Sequence, residues 1–193
     1  TDGVAGTVNT KKNLFNTRKK ETIKGLSLIG LPDFLSFPDG ELSYNIKAGI
    51  LIKNYISRIN PDLIITHAPE DYHPDHNALS NFVVQGSGFS APVLFADTLM
   101  GINFVPEYYV DITPYFKDKE QAILKHKSQN PKKFVEATRL LNRFRSAQCN
   151  SSEGNYAEAY RFDRKFPFSE IRALLPDSPA INPFYQSLSN SMI

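Results

Sequence analysis

The chain has 193 residues, 22 Lys+Arg against 20 Asp+Glu, 41% hydrophobic and 12% aromatic side chains, and a formal charge of +2. A chain of this length buries roughly 70% of its unfolded surface and closes a core without disulfides or a structural metal, which excludes disordered and mini-protein classes. No apolar run approaches the ~20 residues of a membrane-spanning helix, so no integral membrane segment is expected. The charge is too small to argue for nucleic acid as a partner, and the single cysteine, Cys149, excludes an internal disulfide and fits a reducing cytoplasm.

Thr1-Asp2-Gly3-Val4-Ala5-Gly6, followed by Asn9, reads as a loop of the kind that follows a strand and enters a helix in an α/β protein, with the strand itself expected ahead of residue 1. Helical spacing over 14–29 places Arg18 and Glu21 on one face. A short strand is expected at Phe34-Leu35-Ser36-Phe37, closed by the turn Pro38-Asp39-Gly40. Ala48, Ile52, Ile56 and Ile59 recur every three or four residues up to Asn60-Pro61, which predicts a second helix. Asp62 to His67 is a continuous apolar run of strand length, the pattern of a strand buried on both faces of a parallel sheet. A helix over 74–84, a strand over 92–96, a strand over 108–112, helices over 115–127 and 134–148 and a strand over 157–162 continue the alternation. The expected fold is α/β, a Rossmann-like, mostly parallel sheet with flanking helices. Residues 1–162 read as one domain, and 163–193, broken by Pro167, Pro176, Pro179 and Pro183, as a tail lying over its surface.

Ligands of open α/β sheets sit at the carboxyl ends of the strands, so the residues after Ile65 are the first place to look for chemistry. They read Thr66-His67-Ala68-Pro69-Glu70-Asp71-Tyr72-His73-Pro74-Asp75-His76, and hold three of the four histidines of the chain. Pro74 suits the first helical position, which puts Asp75 and His76 in a first turn whose positive end disfavours an imidazolium. A neutral imidazole is a competent metal ligand, and a carboxylate beside it can fix its tautomer. One histidine of the pair can bind a metal while the other serves as acid or electrostatic stabiliser. Spacing alone does not complete the site: His67 and His126 are both further ligand candidates. Arg18 either pairs with Glu21 or faces a ligand, and Asp39 is either a turn residue or a ligand contact. Tyr108, Tyr109, Tyr156 and Tyr160 either line a ligand site or fill the core, core being favoured.

Asp71-Tyr72-His73-Pro74-Asp75-His76, together with Thr1-Asp2-Gly3, Arg18-x-x-Glu21, Phe37-Pro38-Asp39-Gly40 and His126-x-Ser128-Gln129, resembles the PIG-L/LmbE-like zinc-dependent de-N-acetylases over most of the chain. The resemblance implies a Rossmann-like sheet, a bound Zn2+, and hydrolysis of an N-acetyl group from a small-molecule GlcNAc-type sugar conjugate. It implies His76 as a zinc ligand, His73 as the histidine that stabilises the oxyanion or acts as acid, and Asp75 as the carboxylate orienting His73. Arg18 and Asp39 match substrate-holding positions, and His126 and Gln129 a further motif, with His126 expected at the substrate. The family's Ala-His-Pro-Asp-Asp-Glu string, source of the other His and Asp ligands and of the general base, has no counterpart here, so the expectation is an N-terminally truncated and by itself inactive relative, missing the first strand and its loop. A non-catalytic carbohydrate-binding domain, or another metallohydrolase completed by His67 or His126, are the alternatives; homo-oligomerisation is left open.

Overall fold

The computed structural model describes residues 1–5, 11–164 and 171–180. Gly6 and Asn9 of the first loop, and Pro167 and Pro183 of the tail, lie outside them. In chain order the elements are α1 (Lys11–Gly25), α2 (Ile46–Ile59), β1 (Ile64–His67), α3 (Pro74–Ser87), β2 (Val93–Ala96), β3 (Tyr108–Asp111), α4 (Phe116–Leu124), α5 (Pro131–Gln148) and β4 (Ala157–Phe162). The strands form one sheet in the order β1-β2-β4-β3.

The helices form where the apolar spacing asks for them. In α2, Ala48, Ile52 and Ile56 stand four residues apart and are all buried. Asn60 then ends the helix in the left-handed region at φ 48°, its N–H donating to the Ile56 carbonyl. α2 lies against α3 so closely that a Cβ on Gly86 would stand 3.1 Å from Lys53 Cα, a tight contact that favours glycine at the crossing. Under these helices one apolar cluster, including Ile52, Ile56, Val83, Val93, Phe95 and Phe104, fills the face of the sheet. Tyr156 stacks on Phe116 at 3.6 Å and Tyr109 packs against that cluster, so these tyrosines serve the interior.

The α/β class and the flanking helices are as expected; three details differ. The sheet is mixed, since β1 and β2 are parallel while β4 runs antiparallel to both β2 and β3. The cause is the pair of helices between β3 and β4. Lys119 of α4 meets Asn142 of α5 and Glu120 meets Arg139, so the two helices run antiparallel and return the chain to the end of β3 that it left. β4 therefore starts beside that end, with Ala157 opposite Asp111, and runs back. Second, 34–37 is not a strand: Ser36 sits at φ 54°, which an extended run does not tolerate, and among the described residues Asp2 N–H to Phe37 O is the one backbone bond it makes outside its own turn. Third, β1 is not buried on both faces; Ile65 is 55% exposed.

In the tail, Ile171 is buried, Arg172 donates to the Tyr109 carbonyl, and the Asp111 N–H donates to Asp177 O, so described residues of 171–180 cover the outer edge of β3. Between α5 and the sheet, buried Asn142 donates to Ala157 O at 2.8 Å and accepts from Lys119 Nζ at 3.0 Å. Asn142→Ala leaves a buried carbonyl without its donor and is expected to cost about 2–3 kcal/mol in chemical denaturation; a loss below about 0.5 kcal/mol would show that this bond does not hold α5 to β4.

Candidate active site

β1 ends at His67 and hands the chain to a loop that enters α3 at Pro74. The loop is pinned from three sides. Asp71 N–H donates to Ala68 O, Asn77 Nδ2 donates to Pro69 O at 2.6 Å, and Glu70 meets Arg161 of β4 through two oxygens at 2.6 and 2.7 Å. That guanidinium also lies over the rings of Phe95 and Phe104, which keeps its plane fixed for the two-pronged contact.

At the start of α3, His73 is the N-cap: its Nδ1 accepts from the Asp75 N–H at 3.2 Å, and its own N–H donates to Asp71 Oδ1 at 2.9 Å. An Nδ1 used as acceptor carries no hydrogen, so the ring proton of neutral His73 is on Nε2. The Asp75 carboxylate does not touch that ring as expected. It is buried and accepts from Gly40 N at 2.8 Å and Leu42 N at 3.1 Å, holding the 38–42 turn, while the orienting contact to His73 comes from the Asp75 backbone.

The turn in turn holds the first loop. Asp2 Oδ1 accepts from the N–H groups of Asp39 and Val4, and the Asp39 carboxylate accepts from Ala5 N and Thr1 Oγ. Gly3, at φ +68°, lies against the Arg18 guanidinium, where a Cβ would stand 3.3 Å from a terminal nitrogen. Arg18 Nε is buried with no hydrogen-bond partner among the described residues. Together Asp2, Arg18, Asp39, Tyr72, His73, His76, Gln129 and Phe134 are among the residues lining one cavity of about 640 Å3.

His67 and His76 stack face to face, ring centroids 3.8 Å apart and planes 3° apart, with His73 4.7 Å from His76. Burial, and then the neighbouring His76, push His67 down to about 4, so it is neutral at neutral pH. His67, Asp71 and His76 each offer a ligand atom, all within 4.8 Å of one another. His76 Nδ1 is 3.0 Å from Asp71 Oδ1 but outside hydrogen-bond geometry, a buried ring nitrogen facing a buried carboxylate oxygen without a bond between them. Two imidazoles and a carboxylate are the donor set of a borderline divalent ion such as zinc, and an orphaned buried nitrogen beside an anion is what such an ion would satisfy.

Of the residues expected at the site, His73, His76, Arg18 and Asp39 line the cavity. His126 does not: its ring packs against Gly25, with Nε2 3.1 Å from where a Cβ would be. Glu21 does not pair with Arg18; its carboxylate bonds Ser128. Asp71 is the acid that spacing underrated. His67, Asp71 and His76 follow one another at intervals of four and five across a strand end, a loop and a first helical turn, so no helical or strand period marks them as neighbours.

Because the folded pKa of His67 lies below the ~6.5 of an unfolded histidine, the unfolded chain takes up a proton first as the pH drops, and stability falls between about 6.5 and 4. In imidazole NMR titration of the metal-free chain the His67 midpoint is expected near 4; a midpoint near 6.5 would contradict its burial.

The family model described as PIG-L, GlcNAc-PI de-N-acetylase, matches residues 1–86. The fold is similar to that of N,N'-diacetylchitobiose deacetylase from Pyrococcus horikoshii, with 22% identity over 88% of this chain and 74% of that one and a TM-score of 0.71. The conserved protein TT1542 from Thermus thermophilus is 25% identical over 86% of this chain and 80% of that one, with a TM-score of 0.65. GalB, the 4-carboxy-2-hydroxymuconate hydratase from Pseudomonas putida, is 16% identical over 82% of this chain and 76% of that one, with a TM-score of 0.62. No curated protein matches the chain at the sequence level. Residues 1–86, which carry Thr1-Asp2-Gly3, Arg18, Pro38-Asp39-Gly40 and the His73-Pro74-Asp75-His76 element, thus match the PIG-L family, on a fold shared with the chitobiose deacetylase.

Proposed function

We propose that this chain is a divalent-metal-dependent N-deacetylase of GlcNAc-type sugar conjugates, with zinc as the ion. The observation that carries this reading is the cluster of His67, Asp71 and His76 donors, whose member His76 lines, beside His73, a cavity that also presents Arg18 and Asp39. The match of residues 1–86 to the de-N-acetylase family supports the reaction class. The fold alone does not choose it, since a hydratase shares it.

In this reading His67, Asp71 and His76 hold the metal, which supplies Lewis acidity toward an amide carbonyl. His73, which lines the cavity, offers its Nε2–H as a donor for the oxyanion that forms as water adds to the carbonyl carbon, and the Asp75 N–H keeps the ring in that tautomer. Arg18, whose Nε has no partner among the described residues, and Asp39, whose oxygens keep acceptor capacity beyond Thr1 and Ala5, hold the sugar.

The test is metal analysis and acetate release from N,N'-diacetylchitobiose and simpler N-acetylglucosamine conjugates. The expected result is one zinc per chain, acetate release that chelation abolishes and zinc restores, and loss of the metal in His76→Ala. His73→Ala is expected to keep the metal and lose about 100- to 1000-fold in turnover, the usual cost of one oxyanion donor. Equal metal loss in both variants would refute this division of labour. Sugar binding with no acetate release would favour a carbohydrate-binding domain.

A further inference from the structure

α1 reaches across the molecule to the turn between α4 and α5. Glu21, on its buried face, accepts from Ser128 N at 2.9 Å with one oxygen and from Ser128 Oγ at 2.6 Å with the other, a contact between residues 107 apart in sequence. One helical turn further on, Gly25 seats directly on His126, where a Cβ would stand 3.1 Å from both the ring nitrogen and the Ala122 carbonyl. The turn is therefore held at both ends. A carboxylate bonded to a backbone N–H and a hydroxyl of one residue fixes position and direction at once, because the two donors of Ser128 diverge at a set angle.

The residue after this clasp is Gln129. Its N–H closes the turn onto His126 O at 3.0 Å, and Asn130 at φ 51° leads the chain away into α5. The Gln129 side chain lines the same cavity as Arg18 and forms no hydrogen bond among the described residues. A side-chain amide offers two donors and an acceptor in one plane, which suits a hydroxyl that both gives and takes a hydrogen bond. Burying the Glu21 carboxylate against neutral groups, rather than against Arg18 three residues earlier on the same helix, is costly as a way to pack two elements and effective as a way to place one.

We infer that Gln129 is a substrate-contacting residue for a sugar hydroxyl and that Glu21, through Ser128, is its positioning residue. This rests on the reading of the cavity as a sugar site. The step involved is binding, so the test is affinity of the zinc-loaded full chain for N-acetylglucosamine, by NMR titration, with zinc stoichiometry measured in parallel. Gln129→Ala is expected to weaken the sugar about tenfold, and Glu21→Gln and Ser128→Ala about three- to tenfold, as for single hydrogen bonds; all should keep the metal. Ser128→Thr, which retains the hydroxyl, is expected to bind as the parent chain does. The decisive variant is Glu21→Gln with Gln129→Ala, which should bind no more weakly than Gln129→Ala alone, whereas a merely structural clasp would add its loss to the other. If Glu21→Gln does not fold, Ser128→Ala takes its place in the same cycle. Parental affinity in Gln129→Ala, or losses that multiply in the double variant, would overturn this inference alone. No sugar binding by the parent chain would overturn the functional reading and this inference with it.

Discussion

The arrangement of the cavity depends on one buried carboxylate at the start of a helix. Asp75 lies in the first turn of α3, where the positive end of the helix favours a negative charge, and it spends both oxygens on the backbone of a different segment, Gly40 and Leu42. From there the order is passed on by short links. Asp39 is set by the 38–42 turn and binds the first loop; Asp2 of that loop bonds back to the Asp39 N–H; Gly3 of the same loop backs Arg18. Four segments far apart in sequence thus meet around one space because a single side chain anchors the middle one.

The same helix start explains how one short motif does two jobs. The backbone N–H of Asp75 serves His73 while its side chain serves the turn, so the cap and the loop anchor share one residue without competing for the same atoms. His76, in the same first turn, is carried to the stack with His67, and the strand end and the helix start converge on Asp71. The Glu70–Arg161 pair keeps the intervening loop against the sheet, and so keeps that convergence.

Much of this was legible in the residues. The apolar period of α2, the Asn60 stop, the Pro74 start and the cluster from His67 to His76 each follow from a local rule, and local rules are what a single chain displays. The strand expected at 34–37 failed because its apolar content matches an extended run while Ser36 turns left-handed, a conformation no side-chain pattern announces. The direction of β4 was illegible for another reason: each strand looks the same read either way, and only the antiparallel packing of α4 on α5 reverses the chain. In the site, His73 and His76 were visible by motif, whereas the true partners of Asp75 and Glu21 lie 33 and 107 residues away, and no spacing rule reaches that far.

The place of β4 has a consequence for how the molecule is made. It is the last of the described strands in sequence, yet it lies inside the sheet, between β2 and β3, and the described backbone partners of β3 along the ladder all come from it. As the chain leaves the ribosome, β1 and β2 can pair as soon as Ala96 has emerged, but Tyr108 to Asp111 waits for Ala157 to Phe162. For some fifty residues of synthesis, several seconds at ordinary elongation rates, β2 offers an open edge and β3 has no neighbour. The α4–α5 hairpin, made of local contacts and therefore quick to form, emerges in that interval and delivers the closing strand already aimed into the gap.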